Sequence, residues 1–212
     1  MKIGVFDSGV GGQSVANAIQ NQLPNLEIMV VEDKANLPYG SKSPKELLGL
    51  VLPLLKDMQD NGCQVIVVAC NTVTTNIIED LRKQISIPLI GMEPMVKPAA
   101  EKTTSKTITV CATPATLKSK RYAWLKSTYA QGIKIIEPDC SDWTKMIETN
   151  NLDEQKISKN IEQTIQDGSD VIVLGCTHYH WIEELISKVV AGRAIVLQPE
   201  KPVIEQLKKV LG

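Results

Sequence analysis

Two cysteines occupy equivalent positions in a sequence that repeats itself. Residues 62–72 (GCQVIVVACNT) are matched 106 residues later by residues 168–178 (GSDVIVLGCTH), so that Cys70 aligns with Cys176. In both copies an apolar strand precedes the cysteine and a predicted helix follows it. Because a helix N-terminus favours negative charge, this placement predicts a lowered pKa and an increased thiolate fraction for both thiols. The alternative is that a free cysteine is a small buried hydrophobe, which we retain for Cys63, Cys111 and Cys140.

The only two histidines of the chain, His178 and His180, lie within four residues of Cys176. An imidazole at that distance can orient a thiol or exchange a proton with it, and His178 is the better candidate. His180 is predicted to be a surface residue in the first turn of the following helix. A Cys-x-His metal site is the alternative, but two further ligands at a recognisable spacing are missing, so we expect no metal.

Residues 7–12 (DSGVGG) follow a predicted strand and precede a predicted helix. Their spacing matches neither the GxGxxG motif nor the Walker A motif. We interpret the glycines as positions where backbone N–H groups approach a small ligand, with Asp7 and Ser8 supplying a carboxylate and a hydroxyl. The alternative is an ordinary tight turn with Asp7 as an N-cap. A weaker repeat, at an offset of 105 residues, pairs the hydroxyl of Ser8 with that of Thr113.

Two matched thiols indicate one reaction class in particular. Inversion of a carbon stereocentre requires a base on one face of the carbon and an acid on the other, with the roles exchanged for the opposite enantiomer. A pseudo-twofold axis between the two halves would place Cys70 and Cys176 on opposite walls of a cleft, where they meet that requirement. Because the thiols suffice and no dinucleotide motif is visible, we expect no cofactor.

Strands and helices alternate along the chain in a pattern that positions these residues. Short Val/Ile-rich runs separated by longer amphipathic stretches are typical of buried parallel strands connected by helices. The clearest helix covers residues 44–60, with Ser43 and Glu46 forming a capping box. The pattern predicts an α/β fold of two pseudo-twofold-related α/β domains with mainly parallel sheets and an active site in the cleft between them. The predicted strands cover residues 3–6, 27–31, 65–69, 88–90, 107–111, 133–136, 171–174 and 194–197.

Composition and charge exclude several classes of protein. The chain has 212 residues, of which 43% are hydrophobic and 22% charged, close to the averages for globular proteins. Lys and Arg total 23 against 24 Asp and Glu, without a basic block, so nucleic acid is not the expected partner. The longest apolar run, residues 47–55, is shorter than the roughly 18 residues of a membrane helix, so we expect no membrane partner. Five cysteines and no secretory leader lead us to expect free thiols and a cytoplasmic protein.

Six motifs together resemble one known family. They are IGVFDSGVGGQSV at 3–15, PYG at 38–40, ACNT at 69–72, GMEPMVKPA at 91–99, ATPAT at 112–116 and LGCTHY at 174–179. Over nearly its whole length the chain is similar to the glutamate racemases of the cofactor-independent aspartate/glutamate racemase superfamily. Aspartate racemases share the paired cysteines but lack the DSGVGG segment.

The resemblance implies interconversion of L- and D-glutamate, which supplies D-glutamate for peptidoglycan. By this resemblance Cys70 and Cys176 transfer the Cα proton on opposite faces, Asp7 and His178 assist them, and Glu148 matches a family glutamate near the site. A homodimer is also implied. The substrate-binding positions that the resemblance implies are Asp7, Ser8, Tyr39, Gly40, Asn71, Thr72, Thr113, Thr116, Thr177 and His178.

The topology of the family further implies that the last helix returns to the first half of the molecule. The first domain is then discontinuous, formed by residues 1–94 plus 199–212 and carrying Cys70. Residues 95–198 form the second domain, which carries Cys176. Closure of these domains over the cleft would exclude water from the thiols.

Three other functions remain open from the sequence. The chain could racemise another acidic amino acid such as aspartate, a possibility left open because His180 and Trp181 stand where the family usually has proline and a small aliphatic residue. It could be a non-catalytic binding or regulatory relative, for instance a partner of DNA gyrase. It could also sense redox conditions, in which case mild oxidation should give a reversible disulfide between Cys70 and Cys176.

Overall fold

The structure, a computed structural model, describes residues 1–212 and contains two separate four-stranded sheets. All neighbouring strands in both sheets are parallel. The eight predicted strands are therefore confirmed, as is the α/β fold class. The strands are β1 (Lys2–Asp7), β2 (Glu27–Glu32), β3 (Ile66–Val68), β4 (Leu89–Gly91), β5 (Thr107–Cys111), β6 (Lys134–Ile136), β7 (Val171–Leu174) and β8 (Ile195–Leu197).

Helices connect the strands and cover both sheets. Parallel neighbours require such crossovers, because a tight turn cannot return the chain to the same end of the sheet. Short 3₁₀ helices cover Lys34–Asn36, Tyr39–Ser41 and Thr177–Ile182. The α-helices are α1 (Gly11–Gln22), α2 (Pro44–Asp60), α3 (Asn71–Arg82), α4 (Val96–Lys102), α5 (Pro114–Lys118), α6 (Lys120–Tyr129), α7 (Trp143–Glu148), α8 (Glu154–Gln166), α9 (Glu183–Val190) and α10 (Glu200–Leu211).

Helix α2 begins where the sequence predicts. The backbone N–H of Glu46 donates to Ser43 Oγ at 3.4 Å, and the backbone N–H of Ser43 donates to Glu46 Oε2 at 2.8 Å. This reciprocal pair forms the predicted capping box and satisfies backbone donors that an uncapped helix leaves free. The helix presents Leu47, Val51 and Leu55 to the core of the first sheet.

The two sheets have the same strand order, as expected for two halves whose sequences repeat. The first sheet runs β2-β1-β3-β4 and the second runs β6-β5-β7-β8. Strands β3 and β7 occupy equivalent places, and they lead into Cys70 and Cys176 respectively. In open parallel sheets the carboxyl ends of the strands form the ligand crevice, so both thiols lie where such a site is expected.

The terminal helix α10 packs on the first sheet, although β8, which precedes it, belongs to the second. Val203, Ile204 and Leu207 of this helix are buried in one cluster with Ile3 and Val15. Helix α4 packs instead in a cluster of the second sheet. This packing fits the discontinuous first domain, whose exact boundaries remain a prediction. None of the helices combines the length and the apolar character needed to cross a membrane.

Candidate active site

A cavity of about 140 Å³ lies at the carboxyl ends of β1, β3, β5 and β7, between residues of both halves. Both Cys70 and Cys176 line it. A larger cavity of about 270 Å³, beside α10, contains neither cysteine nor histidine. Nine of the predicted site residues line the smaller cavity, namely Ser8, Tyr39, Gly40, Cys70, Thr72, Thr113, Cys176, Thr177 and His178. Asp7, Asn71 and Thr116 do not line it and are buried beside lining residues.

Cys70 occupies the N-cap position of helix α3, without a side-chain capping bond, and is almost completely buried. Its Sγ lies 3.4 Å from Ser8 Oγ. Burial and the nearby Asp7 carboxylate raise the pKa of Cys70 to about 12, against the opposing effects of the Ser8 hydroxyl and the Val73 backbone N–H. The predicted lowering of this pKa is therefore wrong. Desolvation and a neighbouring negative charge outweigh the helix terminus, so Cys70 is a neutral thiol at pH 7.

Cys176 precedes a 3₁₀ helix, Thr177–Ile182, which the sequence did not predict, and the predicted α-helix follows it at Glu183–Val190. The two thiols are thus equivalent in the sheet but differ in the helix that follows. A 3₁₀ turn brings the side chain of His178 back towards the thiol, with its Nδ1 at 3.7 Å from Cys176 Sγ. The predicted thiol–imidazole pair is present. Thr144 Oγ1 lies 4.0 Å from the same sulfur.

His178 is buried and lies between a thiol and a carboxylate. Its Nε2 is 2.5 Å from Glu148 Oε1, on the side of the ring opposite Cys176. Burial disfavours the charged ring, but Cys176, Asp7 and Glu148 together raise the pKa of His178 to about 10. His178 is therefore an imidazolium at neutral pH, with one N–H available to each neighbour.

Asp7 joins the two halves from the end of β1. It is fully buried, and burial raises the pKa of its carboxyl group despite the His178 cation and donors from Gly9 and Thr177. The Thr177 hydroxyl contacts both carboxylate oxygens at 3.2 Å. The alternative role of Asp7 as the cap of α1 is wrong, because Val10 occupies the N-cap position and no side chain caps this helix.

The glycines of the DSGVGG segment permit close packing against the second half. A Cβ atom added at Gly11 would lie 2.5 Å from Thr177 Oγ1, well inside van der Waals contact. The Val10 backbone N–H donates to Glu148 Oε1 at 3.1 Å. The sequence interpretation, in which these glycines expose backbone N–H groups to a small ligand, is therefore corrected: the segment approaches side chains of the second half.

Three threonine hydroxyls form a connected group on another wall of the cavity. Thr113 Oγ1 lies 2.9 Å from Thr72 Oγ1 and 3.0 Å from Thr116 Oγ1. Thr113 also caps α5, because its hydroxyl accepts from the Thr116 backbone N–H. Thr116 is fully buried, so it orients the other two hydroxyls from behind. These hydroxyls can offer hydrogen bonds to an anion without carrying charge.

Tyr39 is held by residues that the sequence did not single out. Its hydroxyl donates to Asp33 Oδ2 at 2.5 Å, and the Asn36 amide donates to both oxygens of the same carboxylate. Burial and the Asp33 carboxylate raise the pKa of Tyr39 far above its usual value, so the phenol stays neutral. The Asp-x-x-Asn spacing in the loop after β2 is a usable sequence signal for this cluster. Thr144 and Ser141, which also line the cavity, carried no such signal.

Asn71 follows Cys70 directly and is only 2% exposed. Both polar atoms of its amide are buried without a hydrogen-bond partner. An unpaired buried polar group costs free energy on the order of 1–3 kcal/mol, and such groups are uncommon in folded proteins. The Asn71 amide therefore has unused hydrogen-bonding capacity directly beside Cys70, which lines the cavity.

The cavity holds no lysine or arginine among its lining residues. Donors at its surface are hydroxyls, the His178 ring and the N-terminus of α3. The neutral hydroxyl and backbone N–H donors, together with the His178 imidazolium, can satisfy a carboxylate. Neither in the cavity nor elsewhere is there a group of three or more His, Cys, Asp or Glu side chains that could hold a metal ion.

Comparison with known proteins assigns the family. The family model for Asp/Glu/Hydantoin racemase matches residues 3–206. The chain belongs to the Asp/Glu/hydantoin racemase family. A glutamate racemase of Pseudomonas putida strain F1 is 36% identical to it, over 99% of this chain and 81% of the relative.

Solved members of this racemase family have the same fold. Escherichia coli glutamate racemase, in complex with L-glutamate and the activator UDP-MurNAc-Ala, superposes with a TM-score of 0.91 at 26% identity. That match covers 99% of this chain and 82% of the E. coli chain. Francisella tularensis glutamate racemase, in complex with D-glutamate, gives a TM-score of 0.81 at 28% identity, over 99% of this chain and 80% of the other.

Proposed function

We propose that this racemase acts on glutamate and interconverts its L and D enantiomers without a cofactor. One observation carries the proposal: two thiols from equivalent positions of two repeated halves line one cavity, Cys70 from the first half and Cys176 from the second. The relatives described above support glutamate as the substrate, since they match this chain over nearly its full length.

Proton transfer then follows from the two thiols. One sulfur, as the thiolate, removes the Cα proton, and the resulting planar carbanion takes a proton on its other face from the second thiol. The C–H bond broken on one face is replaced by a new one on the other, and the thiols exchange their protonation states. Each acid–base step contributes about 10²- to 10⁴-fold to the rate.

We propose the first roles of the two thiols from their surroundings. Cys70 has a pKa of about 12 and is the proton donor in the resting enzyme. We assign the first base to Cys176 because His178 Nδ1 lies 3.7 Å from its sulfur, where the imidazolium can stabilise a thiolate and exchange a proton with it. When the opposite enantiomer binds, the roles are exchanged. The Ser8 hydroxyl, 3.4 Å from Cys70 Sγ, then favours the Cys70 thiolate, and Asp7 assists as the nearby carboxylate that can take up the proton.

Neutral hydrogen-bond donors and the His178 imidazolium bind the substrate in this account. The unpaired Asn71 amide lies behind the cavity wall and engages the substrate when the cavity opens around it. The Thr72 and Thr113 hydroxyls lie against a substrate carboxylate, to which a hydroxyl donates. Thr116 orients those hydroxyls. The predicted binding set is completed by five residues that line the cavity, Ser8, Tyr39, Gly40, Thr177 and His178. Asp7 does not line the cavity and acts through its contact with Thr177.

The cellular role follows from the substrate. We propose that the enzyme supplies D-glutamate for peptidoglycan and acts in the cytoplasm as a homodimer. All five cysteines are free and buried, which fits a reducing compartment. We also propose that the domains are residues 1–94 plus 199–212 and residues 95–198, because α10 packs with β1 and α1 while α4 packs with the second sheet.

Cysteine substitution tests the two-thiol reaction. Cys70→Ala and Cys176→Ala should each reduce kcat for both directions by at least about 10³-fold, since neither direction can then complete the transfer. Cys63→Ala is the matched control, because Cys63 is also buried in the first half but lies outside the cavity. It should retain most of the activity. Racemisation would be followed by the circular dichroism of glutamate, and aspartate would be assayed as a second substrate. Near-normal activity of Cys70→Ala or Cys176→Ala would refute the mechanism.

A further inference from the structure

His180 forms a polar cluster with two side chains from two other elements. Its Nδ1 lies 2.8 Å from Glu200 Oε1, at the start of α10, and 3.1 Å from the hydroxyl of Ser14 in α1. The Ser14 hydroxyl donates in turn to Glu200 Oε1 at 3.3 Å. Helices α1 and α10 both pack on the first sheet, whereas His180 belongs to the 3₁₀ helix that follows β7 of the second. The cluster therefore ties a segment of the second half to the first half.

The His180 side chain is only 5% exposed, so the sequence expectation of a surface residue is wrong. Its second ring nitrogen, Nε2, is buried and has no partner. The polar anchoring of the ring therefore passes entirely through Nδ1. Glu200 is itself only 20% exposed, and removal of the imidazole would leave a largely buried carboxylate with the weak Ser14 contact alone.

The anchored 3₁₀ helix carries the wall of the cavity that belongs to the second half. The Tyr179 backbone N–H donates to the Cys176 carbonyl, so the first turn of this helix starts at the reacting thiol. Thr177 and His178, in the same turn, bond to Asp7 and Glu148. Because these residues share one short segment with His180, a shift of the His180 backbone moves the thiol and the imidazolium together.

We propose that His180, held by Ser14 and Glu200, is a positioning residue that sets the placement of Cys176 against the substrate. The proposal deepens the racemase function proposed above and rests on it. A misplacement of about 1 Å can cost up to about 10²-fold in rate even when the substituted residue is far from the reacting atoms. Loss of the Nδ1 donor should therefore weaken the proton transfers made by Cys176 and leave those made by Cys70 intact.

Two substitutions at position 180 separate the effect of the Nδ1 hydrogen-bond donor from the effect of side-chain volume. His180→Leu removes it at similar volume, whereas His180→Asn places an amide N–H close to the Nδ1 position. We expect kcat/KM to fall about 10-fold in His180→Leu and to stay within about threefold of wild type in His180→Asn. Ser14→Ala, a milder change in the same cluster, should have a smaller effect in the same direction. Glu184→Gln is the control, because it removes an exposed ion pair with Lys188 in the adjacent helix.

Primary deuterium isotope effects distinguish positioning from a loss of folded protein. The equilibrium constant is fixed, so kcat/KM falls equally in both directions and carries no information on which thiol is affected. With glutamate deuterated at Cα, the isotope effect in His180→Leu should rise for the enantiomer that Cys176 deprotonates and fall for the other. A lower fraction of folded enzyme would reduce kcat/KM and change neither isotope effect, and that result would overturn the proposal.

A measurement on the thiols keeps the test independent of turnover. Iodoacetamide labelling followed by mass spectrometry gives the alkylation rates of Cys70 and Cys176 in one sample. In His180→Leu, or in Ser14→Ala if the first variant does not fold, the Cys176 rate should change at least about threefold while the Cys70 rate stays constant. Unchanged Cys176 labelling would overturn the positioning role. If the Cys176 rate changes in the variant but the wild-type protein does not racemise glutamate, only the proposed substrate is refuted.

Discussion

Gly11 offers the most direct steric test of how the two halves meet at the site. It begins α1 and faces Thr177 of the second half. A Cβ atom there would lie 2.5 Å from Thr177 Oγ1 and 2.8 Å from the Thr177 carbonyl carbon. Favourable contacts between such atoms begin near about 3.5 Å. Gly11→Ala must therefore move the Thr177 side chain by about 1 Å and the Thr177 backbone by about 0.7 Å.

The displacement should affect catalysis more than stability. Thr177 directly follows Cys176, and its hydroxyl contacts the Asp7 carboxylate at 3.2 Å, so both groups shift with it. Overpacking of a well-packed site costs about 1–3 kcal/mol, which leaves a protein of ordinary stability folded. An error of about 1 Å in the placement of a reacting group lowers the rate by about 10²-fold. We therefore expect kcat/KM to fall about 10²-fold with only a modest loss of stability.

A second glycine supplies the matched control. Gly49 lies inside α2, and a Cβ atom added there would meet nothing within 4 Å. Gly49→Ala should keep wild-type activity and stabilise the protein by about 0.5–1 kcal/mol, because alanine favours the helix. Initial rates and thermal unfolding would be measured for both variants. A folded Gly11→Ala protein with kcat/KM within twofold of wild type would refute the steric reasoning.

Two further predictions concern a buried amide and a carboxylate. Asn71→Ala should raise KM at least about 10-fold without loss of thermal stability, because the amide has no partner in the ligand-free fold; an unchanged KM would contradict its role. Asp170, in the second half, accepts hydrogen bonds from Thr103, Thr104 and Ser105. Partial burial raises its pKa, but these bonds outweigh burial and hold the pKa far below the usual value. A folded-state pKa below the unfolded value stabilises above about pH 4, and this contribution is lost as pH falls towards the folded-state pKa. Urea unfolding should show Asp170→Asn about 1–2 kcal/mol less stable than wild type at pH 7, with the difference shrinking below pH 4; a pH-independent difference would contradict the assignment.

The fold was predictable because its signals are local. Each buried parallel strand is a short Val/Ile-rich run, and the repeat of residues 62–72 at 168–178 is enough to align β3 with β7. The 3₁₀ helix directly after Cys176 was not predictable in the same way. Thr177 and His178 bond there to Asp7 and Glu148, which are distant in sequence, and a 3₁₀ turn satisfies those contacts.

Electrostatics at the site depended on neighbours that the sequence could not place. The pattern around Cys70 identified a helix N-terminus, which by itself favours a thiolate. Its raised pKa comes from burial and from Asp7 in the adjacent strand β1, 63 residues away. The His180 contact with Glu200 likewise joins the 3₁₀ helix to the start of α10. Such contacts depend on how the two halves pack, which a single sequence does not encode in any local pattern.

The most direct test of the two-thiol reaction is a deuterium-incorporation experiment. Purified protein without added cofactor would be incubated with L-glutamate in D₂O, with the Cα proton followed by NMR and the enantiomers separated early in the reaction. The account predicts that optical rotation is lost and that deuterium enters D-glutamate, while recovered L-glutamate keeps most of its Cα proton, because Cys70 and Cys176 act on opposite faces. Equal labelling of both enantiomers would contradict the two-base reaction, and neither exchange nor inversion would contradict glutamate as the substrate.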